Sequence, residues 1–118
     1  MIFCSPDPDN IYRILFTISG NYQITKKVAG TYLEFPIQDW THTSWWTDGY
    51  DINNTIKIIK TGEDTFDIYC NNNIIYTLND SSFDSGVAGF YAWISSNEDF
   101  PNIDLDVRFK MIQPINIP

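Results

Sequence analysis

Positive charge is scarce in this chain of 118 residues. Lysine and arginine number 7 against 15 acidic residues, which gives a formal net charge of −8 at pH 7. Such a chain repels phosphate backbones and anionic lipids, and it has no basic stripe that would bind them. We therefore expect no nucleic acid and no membrane as partners, and we interpret the acidity as an aid to solubility.

Long apolar runs are absent as well. No segment approaches the ~18 apolar residues that cross a bilayer. The first residues lack the basic and then apolar pattern of a secretory signal peptide. The sequence by itself indicates no compartment.

Reactive and metal-binding side chains are few. Cys4 and Cys70 are the only cysteines and His42 is the only histidine. The two cysteines do not have metal-ligand spacing, so we expect two buried free thiols, with a single disulfide as the alternative. We expect His42 to be solvated, because no partner for a Ser-His-Asp arrangement or a zinc site accompanies it. An enzyme is the less favoured class.

Apolar and aromatic residues are plentiful, at 43% and 16% of the chain. A chain of this size and apolarity folds as one domain, which we place over residues 1–118. No segment has a helical stripe of useful length, whereas several alternate with period two. The sequence predicts an all-β protein, an antiparallel sandwich of short strands.

The first hairpin follows from this alternation. Ile11–Ile18 reads as a half-buried strand, and the pattern resumes at Tyr22. A three-residue loop at Ser19–Asn21 sets Phe16 opposite Ile24, so that apolar residues face apolar residues.

The next reversal has a different length. A two-residue turn at Ala29–Gly30 extends the meander and predicts Leu33 and Phe35 on the core side. Pro36–Asn53 shows no period and is predicted to be a long loop.

A second hairpin pairs Asn54–Lys60 with Thr65–Cys70, and an asparagine-rich turn follows it. A two-residue turn at Asn71–Asn72 places Ile75 inward, and we favour it. A three-residue loop places inward the other apolar set, Ile74, Tyr76 and Leu78.

Gly86–Ser95 has no polar face, which sets it apart from the other strands. One side carries Ala88, Phe90, Ala92 and Ile94, and the other carries Val87, Gly89, Tyr91 and Trp93. Both sides must be covered, one by the core and the other by a ligand, a partner chain or a crossing loop. The later segment Ile103–Met111 alternates clearly and is predicted to be a strand with one apolar face.

Two stretches of the chain resemble a known family. They are the run NTIKIIKTGEDTFDIYCNNNIIYTLNDSSFDSGVAGFYAWISS with the later DLDVRFKMI, and the opening IFCSPDPDNIYRILFTISGNYQITK. Both are similar to concanavalin A-like lectin/glucanase sandwiches, nearest to the laminin-G-like and keto-disaccharide-hydrolase-type bacterial domains. The resemblance implies a jelly roll and covers most of the chain. It also implies that the usual N-terminal strands are missing. Either the chain is a truncated part of a larger protein, or a homodimer or larger assembly completes an exposed strand edge.

Family members hold sugars on the concave sheet or its rim loops, and the resemblance implies a non-catalytic carbohydrate-binding module. Aromatic rings would stack on the sugar, and Asp or Asn side chains would accept from its hydroxyls. The alternative is a structural or assembly domain, since tryptophans in a small sandwich are more often core or interface anchors. The candidate residues are Trp45, Trp46, Tyr91 and Trp93 for stacking, and Asp39, Asp48 and Asn97 for polar contacts.

Catalysis and calcium binding have less support. The laminarinase-type glycosidases of this fold carry Glu, Asp and Glu at alternate strand positions, a set this chain lacks. Asp104 and Asp106 alternate, but Arg108 follows them and would pair with them on a solvated face. Calcium is common in the family, yet no loop here has ligand spacing that requires it, so we expect no cofactor. An extracellular or cell-surface location is implied by the resemblance alone.

Overall fold

The computed structural model describes residues 1–49 and 51–91, and this part of the chain is all β-strand and connecting loops. Nothing in these two ranges is a helix long and apolar enough to cross a membrane. The strands are β1 (Ile2–Asp7), β2 (Asn10–Phe16), β3 (Asn21–Val28), β4 (Thr31–Tyr32), β5 (Gln38–His42), β6 (Ile56–Lys60), β7 (Thr65–Cys70), β8 (Asn73–Asn79) and β9 (Val87–Gly89).

The strands form two sheets, and every pairing is antiparallel. In the larger sheet the order is β4-β3-β2-β1-β9, and β5 pairs with the first half of β3 on the side where β4 pairs with its second half. The smaller sheet has the order β6-β7-β8. The predicted all-β, antiparallel architecture is therefore confirmed in the described residues.

The two sheets pack on each other around a shared core. Tyr12 on β2 illustrates the packing, since its ring lies edge-on to Phe66 of the smaller sheet at 5.6 Å and to Phe83 of the loop before β9 at 4.9 Å. Such aromatic pairs stabilise a core beyond the apolar area they bury. The buried core residues are Phe3, Tyr12, Ile14, Tyr22, Ile24, Phe66, Ile68, Leu78 and Phe83.

The predicted register of the first hairpin is wrong by two residues. Ile24 lies opposite Ile14 rather than Phe16. The chain reverses through four residues, Thr17–Gly20, in which the Gly20 amide donates to the Thr17 carbonyl at 3.1 Å and Gly20 has a φ of +86°. Because a shift of two preserves the pleat, apolar residues still face apolar residues.

The two-residue turn at Ala29–Gly30 is confirmed, but the strand after it is shorter than predicted. Val28 lies opposite Thr31, and φ is positive at both turn residues, 50° and 84°, as a type I′ turn requires. The prediction that Leu33 and Phe35 face the core is wrong, because they are 39% and 75% exposed.

The reason is that another strand takes their place beside β3. Gln38, at the start of β5, lies opposite Ile24. Pro36 has no amide hydrogen to donate and separates β4 from β5. The prediction of an uninterrupted loop over Pro36–Asn53 is therefore also wrong, since Gln38–His42 within it is a strand.

In the smaller sheet, each of the two predicted registers for the asparagine turn is correct for one part of β8. Cys70 lies opposite Asn73 across a two-residue turn, as favoured, and φ is positive at both turn residues. A bulge then shifts the register, so that Ile75 and Tyr76 both pack against the core and Leu78 is 1% exposed.

The strand predicted over Gly86–Ser95 is described only in its first part. Val87–Gly89 pairs with β1 at the end of the larger sheet. The rest of that strand after Tyr91, and the predicted strand Ile103–Met111, lie outside the described residues. Cys4 and Cys70 are both free, as predicted, although Cys4 is only half-buried.

Candidate functional site

The outer face of the larger sheet, which points away from the smaller sheet, is not an ordinary solvated surface. Strand alternation places Ile11, Arg13 and Leu15 of β2 on this face, opposite in direction to the core residues. Ile11 is 3% exposed and Leu15 is 7% exposed, and Thr25 on the neighbouring strand is 4% exposed. A sheet buried on one face only would leave these positions open.

A pocket opens on this outer face, beside β9. Its volume is about 780 Å³, within the range typical of small-molecule sites. Residues of five strands and of the β1–β2 turn form it, and most of its wall is apolar. The lining residues are Ile2, Ser5, Pro6, Asp7, Pro8, Ile11, Arg13, Lys27, Tyr32, Val87, Ala88, Gly89, Phe90 and Tyr91.

Arg13 is the central polar residue of the pocket. Its guanidinium carbon lies 4.0 Å from the centroid of the Tyr32 ring, and its Nη1 donates to the Tyr91 hydroxyl at 3.2 Å. Its Nε is buried and has no hydrogen-bond partner among the described residues. The Nζ of Lys27 lies 5.3 Å from the same Tyr32 ring, so two cations share one aromatic side chain.

The carboxylate in the pocket wall is already engaged. Asp7 is the one acidic residue among the described lining residues. Its Oδ1 accepts from the Asp9 amide at 2.8 Å, and both of its oxygens accept from Asn10 Nδ2 at 3.1 Å. These bonds hold the β1–β2 turn together. Asp7 therefore serves the turn, and its single negative charge offsets only one of the two positive charges in the described lining.

Of the residues predicted to bind a ligand, Tyr91 lies in this pocket. Its hydroxyl accepts from Arg13, and its side chain is 37% exposed. Trp93 and Asn97 lie outside the described residues. The remaining candidates lie in or before the loop that follows β5.

Trp46 is an anchor of that loop. Its ring stacks on Phe16 at 5.0 Å with an interplanar angle of 13°, and its Nε1 donates to the Ile18 carbonyl at 3.0 Å. Its Cβ lies so close to Gly20 that a side chain at Gly20 would collide with it. Trp46 therefore fastens the loop to the β2–β3 turn.

Trp45 has a fixed backbone and an open ring. Its amide donates to Thr43 Oγ1 at 3.2 Å, its carbonyl accepts from Asn71 Nδ2 at 2.7 Å, and its side chain is 50% exposed. The contact with Asn71 ties the loop to the β7–β8 turn of the smaller sheet. The exposed Trp45 ring therefore offers a surface for stacking, at the end of the molecule where turns of both sheets meet.

The two aspartates are placed differently. Asp39 lies on β5, where its Oδ1 accepts from the Trp40 amide at 2.8 Å and from Gln23 Nε2 at 3.4 Å. Asp48 is exposed in the loop after Trp46. The structure therefore places Asp39 on β5, Trp45, Trp46 and Asp48 in the loop after it, and Tyr91 beside Arg13 in the pocket.

Sequence reasoning missed Arg13, Lys27 and Tyr32. A signal for Arg13 was present, since two apolar residues flank it on the same side of β2. When apolar residues lie on both sides of an arginine along the outward face of a strand, that face is expected to be covered and to hold one charge. The placement of Lys27 and Tyr32 against each other depends on the β3–β4 pairing.

The most strongly shifted pKa values lie elsewhere, between the sheets. Burial and the hydrogen bond to Asp80 raise the pKa of Tyr12 well above its usual range. Burial opposes ionisation of Asp80, but bonds from Lys26, Tyr12 and Ser82 outweigh it and hold the pKa of Asp80 far below its usual range. Lys26 Nζ lies 2.7 Å from Asp80 Oδ2. This network joins β3 to the loop after β8 and has a structural role.

No grouping of three or more His, Cys, Asp or Glu side chains in residues 1–49 and 51–91 is placed to hold a metal ion. Comparison with family models, with curated proteins and with solved structures finds no match to this chain.

Proposed function

We propose that this protein is a non-catalytic carbohydrate-binding module, a concanavalin A-like jelly roll whose ligand occupies the outer-face pocket. The observation that carries the proposal is the pocket itself, which combines a volume of about 780 Å³ with two tyrosines and a fixed arginine. The apolar face of a sugar ring packs on aromatic side chains, and its hydroxyls need convergent hydrogen-bonding groups.

The tyrosines are accessible enough for this role. Tyr32 is 39% exposed and Tyr91 is 37% exposed. Arg13 lies on the Tyr32 ring and donates to Tyr91, so it holds both tyrosines in position before a ligand arrives. Such preorganisation lowers the entropic cost of binding. The resemblance of the two sequence stretches to lectin-like sandwiches supports the same ligand class.

A glycan array tests the proposal, with Tyr32→Ala and Trp45→Ala as a pair of variants. Both side chains are exposed aromatics, but only Tyr32 lines the pocket. We expect Tyr32→Ala to weaken glycan binding at least about tenfold, which corresponds to ~1.4 kcal/mol, and Trp45→Ala to leave it unchanged. Loss of binding in Trp45→Ala alone would move the site to the loop. Absence of any bound glycan at millimolar concentration would overturn the proposal.

The second candidate function is assembly with another copy of the chain. Val87 on β9, the last strand of the described sheet, is 71% exposed. An exposed apolar strand at a sheet edge is a template for pairing with a second copy. Sedimentation analysis distinguishes the two functions, with Val87→Asp as the test variant and Ile18→Asp as the control, because Ile18 is 73% exposed in a turn. A dimer lost only in Val87→Asp supports assembly, whereas a wild-type monomer contradicts it.

A further inference from the structure

We infer that the ligand of the outer-face pocket is acidic, and specifically that it is a sugar with a carboxylate group, held by Arg13 and Lys27. The sugar part of this inference rests on the proposed function. The carboxylate part rests on the charges and contacts of the pocket.

The first observation is the local excess of positive charge. Among the described residues, two cations and one carboxylate line the pocket, which gives the described lining a net positive charge in a chain whose net charge is −8. The carboxylate, on Asp7, is engaged in the β1–β2 turn. In the part of the chain that the structure describes, the one salt bridge is between Lys26 and Asp80, so neither Arg13 nor Lys27 is paired there with a protein carboxylate.

The second observation is that Arg13 and Lys27 lie against the same aromatic ring. Both lie against the Tyr32 ring, at 4.0 Å and 5.3 Å from its centroid. Their like charges repel each other, and a bound anion would relieve that repulsion. The Arg13 guanidinium is partly buried, and its Nε has no hydrogen-bond partner among the described residues. Because burying an uncompensated charge is costly, a negatively charged ligand is favoured there.

The third observation is geometric. The Arg13 guanidinium lies over the Tyr32 ring, and the Tyr91 hydroxyl accepts from one of its five N–H donors. An arginine held in this way presents a planar fork, which matches a carboxylate better than it matches a single hydroxyl. The apolar wall, with Pro6, Pro8 and Ile11, fits the carbon skeleton that carries the carboxylate.

Titration calorimetry with matched probes tests the inference. The pairs are galacturonic acid with galactose and glucuronic acid with glucose, which differ only in a carboxylate replacing a hydroxymethyl group. We expect the acid of at least one pair to bind at least about tenfold tighter than its neutral partner, an ion-pair contribution of ~1.4 kcal/mol. Equal affinity for acid and neutral sugar would overturn the inference and leave the proposed function intact.

Lys27→Gln and Lys57→Gln form a matched set of variants. Each removes one positive charge from a lysine that lies over a tyrosine ring, and Lys57 lies 4.5 Å from the Tyr69 ring on the smaller sheet. We expect Lys27→Gln to reduce the preference for the acid at least about threefold and Lys57→Gln to leave it unchanged. If Lys27→Gln keeps the same preference for the acid over the neutral sugar, Lys27 does not hold the carboxylate and the inference is contradicted.

A third probe, cyclohexanecarboxylate, separates the two proposals, because it has the carboxylate without sugar hydroxyls. If cyclohexanecarboxylate binds, Lys27→Gln weakens that binding, and no sugar binds, then carboxylate binding in the pocket is supported and the proposed carbohydrate function is wrong. If no probe binds, both are wrong.

Arg13→Lys keeps the positive charge but loses the planar guanidinium fork, and we expect it to weaken binding of the acid at least about threefold.

Discussion

Gly86 shows at the residue scale how closely β9 approaches β1. A Cβ on Gly86 would lie 2.3 Å from the carbonyl carbon of Ser5, and the residue has a φ of +143°. Only glycine fits this backbone without displacing one of the two strands. The outer-face pocket, which β1 and β9 both line, therefore depends on one residue without a side chain.

Gly86→Ala tests this dependence directly. We expect the variant to lose about 3 kcal/mol or more of unfolding free energy, because a backbone atom cannot yield as a side chain can. Gly89→Ala is the control, since a Cβ there meets no atom of the described residues within 4 Å, and it should change stability by less than about 0.5 kcal/mol. Urea unfolding monitored by tryptophan fluorescence measures both. Equal stability of the two variants would contradict the close approach.

Trp45 and Trp46 are adjacent in sequence but differ in their contacts. Trp46 stacks on Phe16 and donates to Ile18, whereas the Trp45 ring is half exposed. We expect Trp46→Ala to cost about 2–3 kcal/mol of unfolding free energy and Trp45→Ala less than about 0.5 kcal/mol. Thermal melts followed by circular dichroism check the difference. Two equal losses would mean that the anchor role of Trp46 is wrong.

Asp80 predicts a pH dependence of stability. Its pKa is lowered in the folded state from an ordinary value of 3.8, so the folded protein favours the carboxylate. The stabilisation is present above about pH 5 and is lost as the pH falls through the folded-state pKa. In Asp80→Asn, an NH₂ group replaces the oxygen that accepts from Lys26, and we expect a loss of about 1.5–3 kcal/mol at pH 7.

Unfolding in urea at pH 7 and at pH 3 measures this effect. The difference between wild type and Asp80→Asn should shrink at pH 3, because the wild-type carboxylate then loses part of its advantage. Glu63→Gln, in the exposed β6–β7 turn, controls for the change in net charge. A difference that is the same at both pH values would exclude Asp80 as the titrating group.

At the scale of elements, tight turns followed from the sequence better than strands without an apolar pattern. The sequence predicts a two-residue turn at Ala29–Gly30 from the register it gives the next strand, and one at Asn71–Asn72 because asparagine tolerates positive φ. Both turns are present. The strand Gln38–His42 was not predicted, since it has no apolar alternation. Gln38–His42 is a strand because it pairs with β3 in the folded protein, and this pairing cannot be predicted from the local sequence.

Ala29 is the turn residue that fits its conformation least well. It has a φ of 50°, which alanine disfavours, and it is exposed. We expect Ala29→Asn to stabilise the protein by about 0.5–1 kcal/mol, because Asn-Gly is a preferred type I′ pair. Asn72→Ala, at a φ of 68°, should lose a similar amount. Thermal melts test both, and a destabilised Ala29→Asn would contradict the turn assignment.

At the scale of the whole molecule, the sequence predicted the class of fold and one wall of the pocket. The all-apolar segment beginning at Gly86 indicated a second covered face, and its described part does line a pocket. Its lining also includes Arg13, Lys27 and Tyr32, which lie on three other strands. Their proximity results from the order of strands in the sheet, and periodicity within one strand cannot report that order.

The central claim is that a ligand binds on the outer face of the larger sheet rather than at the tryptophan loop. The most direct measurement is a ¹H–¹⁵N NMR titration of the ¹⁵N-labelled chain with galacturonic acid and with glucuronic acid. We predict chemical-shift changes that cluster on Arg13, Lys27, Tyr32 and Val87–Gly89, with Trp45–Asp48 unmoved. Changes confined to Trp45–Asp48, or no changes at millimolar sugar, would contradict the account.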